Sequence, residues 1–254
     1  TSTEETENQE LEDLEQQATT TEDVEEEATT TIPLLSSTEK IELLLKSLLP
    51  EKGFAYISKI VEESDGVDGD LASVERANQN GSSWILYFDP ADSFNQEGDF
   101  KDTKGLLETL IHEYAHVFSL NEKQIKHVPD TVEYVECEED EKIIDEGCAP
   151  SYSYLYKFMD KFWSEEKREE AYQASIDEQE EDFAFELYNE KPNDFVSEYA
   201  ATNAVEDFAE SFTYFVTHTT TASQNTSEMK KNWFYQFPEL VSLREHMRKE
   251  YLKY

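Results

Sequence analysis

Two histidines four positions apart, with a glutamate directly after the first, stand in the run Gly105-Leu106-Leu107-Glu108-Thr109-Leu110-Ile111-His112-Glu113-Tyr114-Ala115-His116-Val117-Phe118. On an α-helix this spacing puts His112 and His116 on one face, about one turn apart. Both imidazoles can then reach a single zinc ion, whose bonds to imidazole nitrogen are roughly 2.0–2.1 Å long. Glu113 is placed to take a proton from a water on that metal. Two partly exposed histidines on an ordinary amphipathic helix would give the same pattern, so a third protein ligand has to separate the two readings.

Two carboxylates are candidates for it. In the stretch from Phe195 to Phe212, Asn203 can cap a helix whose first turn holds Glu206 and Asp207. Glu206 and Glu210 then share a face, while Phe208, Phe212 and Phe215 pack elsewhere. A ligand at Glu206 with a second carboxylate one turn later suits a site in which Glu210 fixes a histidine through its other ring nitrogen. The helix dipole alone also favours an acidic first turn. The other candidate is Glu146 in Ile143-Ile144-Asp145-Glu146-Gly147-Cys148-Ala149, which resembles the Glu-Gly-x-Ala stretch that carries the third ligand in some gluzincin families.

Together, His-Glu-x-x-His and Tyr-x6-Glu-x3-Glu resemble the catalytic domains of anthrax lethal factor and the clostridial Pro-Pro endopeptidases. More closely, they are similar to bacterial zinc-binding metallopeptidases and lipoproteins with a Tyr-Ala-Ala-Thr-Asn…Glu-Asp-x-Ala-Glu-Ser-Phe stretch, here Tyr199 to Phe212. The resemblance runs from about residue 83 to 217. It implies a gluzincin-type site with His112, His116 and Glu206 as Zn2+ ligands and Glu113 as general base. It also implies Tyr199 as the hydroxyl that stabilises the oxyanion, and Glu210 as the carboxylate behind a ligand. The connection from His116 to Glu206 is long and contains a cysteine-bounded segment and an extra helix. Substrate preference therefore draws nothing from the resemblance, and Glu146 stays open as a third ligand.

The activity these residues imply is a zinc-dependent endopeptidase acting on a peptide or protein substrate. The competing reading is a cell-surface lipoprotein that serves as a binding module around a structural or vestigial zinc. A structural zinc has four protein ligands and no open position, and it has no need of Glu113. A metal-dependent hydrolase of non-peptide amides is a third reading.

Several elements have to position this chemistry. Asp102 or Thr103 can cap the motif helix, and Leu106, Leu107, Leu110, Ile111, Ala115 and Phe118 give it apolar faces. A short helix from Ser37 carries Ile41, Leu44, Leu45 and Leu48 and ends near Pro50. Phe54–Val61 and Leu71–Ala77 read as strands around the turn from Asp65 to Asp70, which lacks the ligand spacing of an EF-hand. Asn80-Gly81 is a hairpin signal leading into a third strand, Trp84–Phe88. As an edge strand beside the metal cleft, Trp84–Phe88 could take up a substrate peptide through backbone hydrogen bonds; as a core strand it has no such part.

Helices are expected over 104–119, 151–164, 165–175, 178–189, 203–217, 228–236 and 238–252. The whole is an α+β arrangement: a small antiparallel sheet packed on a mostly helical, zincin-like catalytic domain over 37–254. The aromatic series Tyr152, Tyr154, Tyr156, Phe158, Phe162 and Trp163 reads as core packing. His127, His218 and His246 read as surface or satisfied histidines.

The formal net charge is −38. Residues 1–36 hold twelve acidic residues and no basic ones and read as a disordered spacer; without it, 47 acidic against 21 basic residues leave −26. Such a surface repels nucleic acid and anionic membranes. No run approaches the eighteen or more apolar residues of a membrane helix, and nothing resembles an assembly helix, so a monomer is expected. Cys137 and Cys148, the two cysteines, are separated by ten residues. In an exported protein they would form a disulfide worth about 2–3 kcal/mol; in a cytosolic one they would be thiols. With the Thr/Glu-rich stretch, they point to an exported, cell-surface-anchored bacterial protein.

Overall fold

Ser36 and Glu39 open the first helix with a reciprocal capping box, and α1 (Ser37–Leu48) buries Ile41, Leu44, Leu45 and Leu48 at helical spacing. The computed structural model describes residues 35–254 apart from 65, 67, 68, 130–135, 220 and 223. The acidic spacer, apart from Leu35 and Ser36, and much of the Asp65–Asp70 turn thus lie outside the described residues. After Pro50 the chain makes one further helical turn, α2 (Glu51–Phe54), because Gly53 and Phe54 donate their N–H groups back to the Pro50 carbonyl. Phe54 is therefore helical rather than the start of a strand.

Three strands follow: β1 (Ile57–Glu62), β2 (Ala72–Arg76) and β3 (Trp84–Phe88). Their order is β1-β3-β2. β3 pairs parallel with β1 and antiparallel with β2, so the sheet is mixed rather than antiparallel. It also places β3 in the middle, which corrects its candidacy as a substrate-binding edge. The residue types explain the order. Trp84, Leu86 and Phe88 of β3 are all buried, whereas β2 carries Ser73, Glu75 and Arg76, which tolerate an edge facing water.

A short turn of helix, α3 (Pro90–Ser93), is capped by Asp89 and precedes α4 (Thr103–Leu120), which carries both histidines. The Asp102 carboxylate accepts from the N–H groups of Lys104 and Gly105 and so starts α4 where the composition predicts. Beyond α4 the chain forms a second antiparallel sheet that the periodicity does not announce: β4 (Lys126–His127), β5 (Glu141–Ile144) and β6 (Gly147–Pro150), ordered β4-β6-β5. Its strands have two to four residues, too short for an alternating pattern. Cys137 and Cys148 are bonded, and the bridge ties β6 to the segment before β5.

The remainder is helical: α5 (Tyr154–Phe162), α6 (Glu165–Ile176), α7 (Glu180–Glu190), α8 (Ala204–Thr217), α9 (Thr226–Trp233) and α10 (Pro238–Tyr251). Ser153, not residue 151, caps α5, so Tyr152 stays outside it and is 60 % exposed, unlike the rest of its aromatic series. The architecture is α+β, and the core runs between α4 and α8. There Phe118 meets Phe208 and Phe212 edge-on at 5.8 and 4.8 Å. Phe158, Phe215 and Phe234 extend that aromatic cluster without exposure to solvent. Among the described residues no helix is long and apolar enough to cross a membrane.

Candidate metal centre

The α4–α8 packing brings His112 and His116 face to face with Glu206. The two Nε2 atoms are 3.0 Å apart, and Glu206 Oε2 is 3.1 Å from His112 Nε2 and 3.3 Å from His116 Nε2. Three ligands held tetrahedrally on a zinc ion at roughly 2.0–2.1 Å would stand about 3.3–3.4 Å from one another. The observed triangle is within a few tenths of an ångström of that edge. Its atoms are also oriented for it. His112 Nδ1 donates to Glu210 Oε1 at 2.9 Å, which leaves Nε2 of the neutral ring with a lone pair directed at the Glu206 carboxylate. Converging lone pairs repel unless a cation or a proton stands among them, so the donor set fits a divalent metal.

The electrostatics of the protein alone express the same convergence. Burial works against a charged His112, yet its bonds to Glu206 and Glu210 overcome this and raise its pKa to about 10. His116 is raised for a similar reason, burial being outweighed by the charge and hydrogen bond of Glu206. Burial likewise opposes the charge on Glu206, but the neighbouring histidines hold its carboxyl well below the usual carboxylate range.

Each donor is fixed by its own element. Asn203, extended at φ −158°, accepts from the N–H groups of Val205 and Glu206 and sets the first turn of α8. Asp207, the next residue, is completely buried. It takes hydrogen bonds from Trp163 Nε1 at 2.7 Å and Ser211 Oγ at 3.2 Å, and pairs with Lys230 Nζ at 2.6 Å. In the sequence Asp207 reads only as part of an acidic first turn; no local signal marks it as the anchor it is. Behind the centre, Glu210 Oε2 accepts from Ser197 Oγ at 2.6 Å, and that oxygen accepts from the Ala200 N–H at 3.0 Å. A single chain of hydrogen bonds thus runs from the backbone beside Tyr199 to the His112 ring.

Glu113 and Tyr199 face the same space. Burial pushes the Glu113 carboxyl up, while the two histidines pull it down. The Tyr199 ring, 55 % exposed, sits 5.8 Å from the His112 ring. Its hydroxyl is pushed up by burial and then by Glu206, Glu113 and Asp70, and these residues line the cleft together. Glu146 is not brought into the triangle; His112, His116 and Glu206 form the group, and Glu146 lines the cleft beside them.

The cleft has a volume of about 1180 Å³ and is walled by residues 69–79, which comprise β2 and its flanks. His127 is satisfied, as its reading in the sequence expects. Its Nε2 donates to the Leu120 carbonyl at 2.6 Å, and its Nδ1 accepts from Arg76 at 3.1 Å. His218 stacks on Tyr214 at 4.6 Å. Among the described residues Cys137, Glu141 and Cys148 also cluster, but the two sulfurs are bonded to each other and offer no thiolate. The chain matches no known protein family, no curated protein and no solved structure.

Proposed function

We propose that the chain is a zinc-dependent endopeptidase of the gluzincin type, with His112, His116 and Glu206 as the metal ligands. The observation that carries this reading is the near-tetrahedral triangle of donors with Glu113 beside it, set in an open cleft. Bound zinc lowers the pKa of water to near 7 and polarises a carbonyl group. Glu210 keeps the His112 proton on Nδ1, so that Nε2 remains a ligand. The Glu113 carboxylate takes the proton of the attacking water and passes it to the leaving amine nitrogen. The Tyr199 hydroxyl donates to the oxygen of the scissile carbonyl, a contribution typically worth about 3–4 kcal/mol. The free edge of β2, rather than β3, offers backbone groups with which an extended substrate can pair.

The competing reading, a binding module around a structural zinc, calls for a fourth protein ligand, and among the described residues the group holds three. The disulfide supports a protein that works in an oxidising, extracellular compartment. Metal content and peptide-library cleavage, measured side by side for the wild type and Glu113→Gln, test the proposal. One zinc in each protein, with cleavage at least about a hundredfold slower in Glu113→Gln, is the expected result. Absence of zinc from both proteins, or equal cleavage by both, would overturn it.

A further inference from the structure

The charge along the cleft does not balance. Among the described residues seven carboxylates and one cation, Arg76, line it. Arg76 is already engaged, donating from Nη1 to His127 Nδ1 at 3.1 Å and to the Gln79 carbonyl at 3.3 Å. Four of the carboxylates, Glu113, Glu146, Glu206 and Glu210, are grouped about the two histidines. One divalent cation there would balance the charge of two of the four. Glu206, Glu210 and Glu113 each have a partner or a part in the chemistry. Glu146 has none.

Glu146 sits in the turn between β5 and β6, on the His116 side of the cleft. Its Oε2 is shut off from solvent and has no hydrogen-bond donor. The backbone that carries it is held firmly. Its carbonyl accepts from the Val128 N–H at 3.3 Å, and the next residue, Gly147, lies at φ +140° against the Lys126 carbonyl, where no Cβ would fit. Cys148, one residue further on, is bonded to Cys137. A carboxylate oxygen fixed away from solvent without a donor is unfavourable in the free protein, and a ligand that supplies the missing donor is bound correspondingly better.

Resting on the peptidase reading, we propose that Glu146 determines specificity by receiving the positively charged side chain of a substrate lysine or arginine next to the scissile bond. A basic side chain entering beside His116 meets this carboxylate and offsets the excess negative charge of the centre. A neutral side chain leaves that charge as it is, and an acidic one adds to it.

The test uses peptides identical except for lysine, its uncharged isostere norleucine, or glutamate at one position, moved in turn across the residues flanking the cleavage point. The ratio of kcat/KM for lysine over norleucine is measured for the zinc-loaded wild type and for Glu146→Gln. At one position the wild type should prefer lysine by at least about tenfold, and Glu146→Gln should reduce that ratio to about two or less. A ratio equal in the two proteins overturns the proposal, as does a fall of both peptides together in Glu146→Gln. Fluorescence anisotropy of the same labelled peptides on Glu113→Gln reads recognition without turnover. Glu146-dependent binding of the lysine peptide, with no peptide cleaved by the wild type, would remove the peptidase reading and with it the role in cleavage specificity, leaving Glu146 only as a receptor for a basic side chain. Cleavage without a basic preference would do the reverse.

Discussion

Glu210→Ala separates the support behind His112 from the proposed metal ligands themselves. Glu210 Oε1 accepts from His112 Nδ1 at 2.9 Å and its Oε2 accepts from Ser197 at 2.6 Å, so the substitution cuts the hydrogen-bond chain at its centre. All three ligands remain. The His112 ring is freed to rotate, and its proton is freed to move to Nε2, a form that cannot bind metal. Loss of such a partner typically costs 10–100-fold in metal affinity, about 1.4–2.7 kcal/mol. Proton competition works in the opposite direction. In the metal-free wild type the bonds to Glu206 and Glu210 raise His112 to about 10, so zinc has to displace a proton at neutral pH. Removing Glu210 lowers that competing affinity, and the defect should therefore be smallest near pH 6 and widen toward pH 9. Competition titration against a chromophoric chelator, at fixed salt and several pH values, measures it. A Kd within twofold of the wild type across that range would refute the reasoning.

Tyr199→Phe should keep full zinc content yet lower kcat by about 10²–10³, and a loss below about threefold in single-turnover cleavage would remove the hydroxyl from the mechanism. Stability of the metal-free protein should depend on His112. Its folded pKa, raised to about 10 from an unfolded value near 6.5, gives a contribution that is full below pH 6.5 and is lost as the pH rises through 10. Thermal unfolding of chelator-treated protein should accordingly show a Tm that falls over this window, and a flat or rising Tm would contradict the assignment. Lys230→Met leaves the buried Asp207 carboxylate without its cation and should cost about 3–5 kcal/mol, or about 6–20 °C in Tm; a drop under about 2 °C in calorimetry would show that the pair does not hold α8 in place.

Much of this site is readable from local patterns because its components are local. His112, Glu113 and His116 belong to one helix, and the four-residue spacing, the apolar faces and the Asp102 cap together specify both the helix and its ligand face. Asn203, Glu206 and Glu210 are legible on α8 for the same reason. The helical boundaries hold to within a few residues. The 151–164 expectation misses where Ser153, as the cap, excludes Tyr152. The 178–189 expectation misses at Glu178, which adopts φ 56° and cannot belong to a helix.

The sequence by itself thus determines the paired histidines, the adjacent glutamate and the strongly acidic charge, since periodicity and composition are carried by neighbours along the chain. Which carboxylate closes the triangle, Glu206 or Glu146, is decided only by the packing of α4 against α8. Both glutamates are far from His116 in sequence, and spacing over such distances says nothing about position in space. The same holds for β2 as the exposed edge, since strand order follows from which faces the helices bury. It holds too for Asp207 and Lys230, whose pairing in the core depends on α9 folding back onto α8.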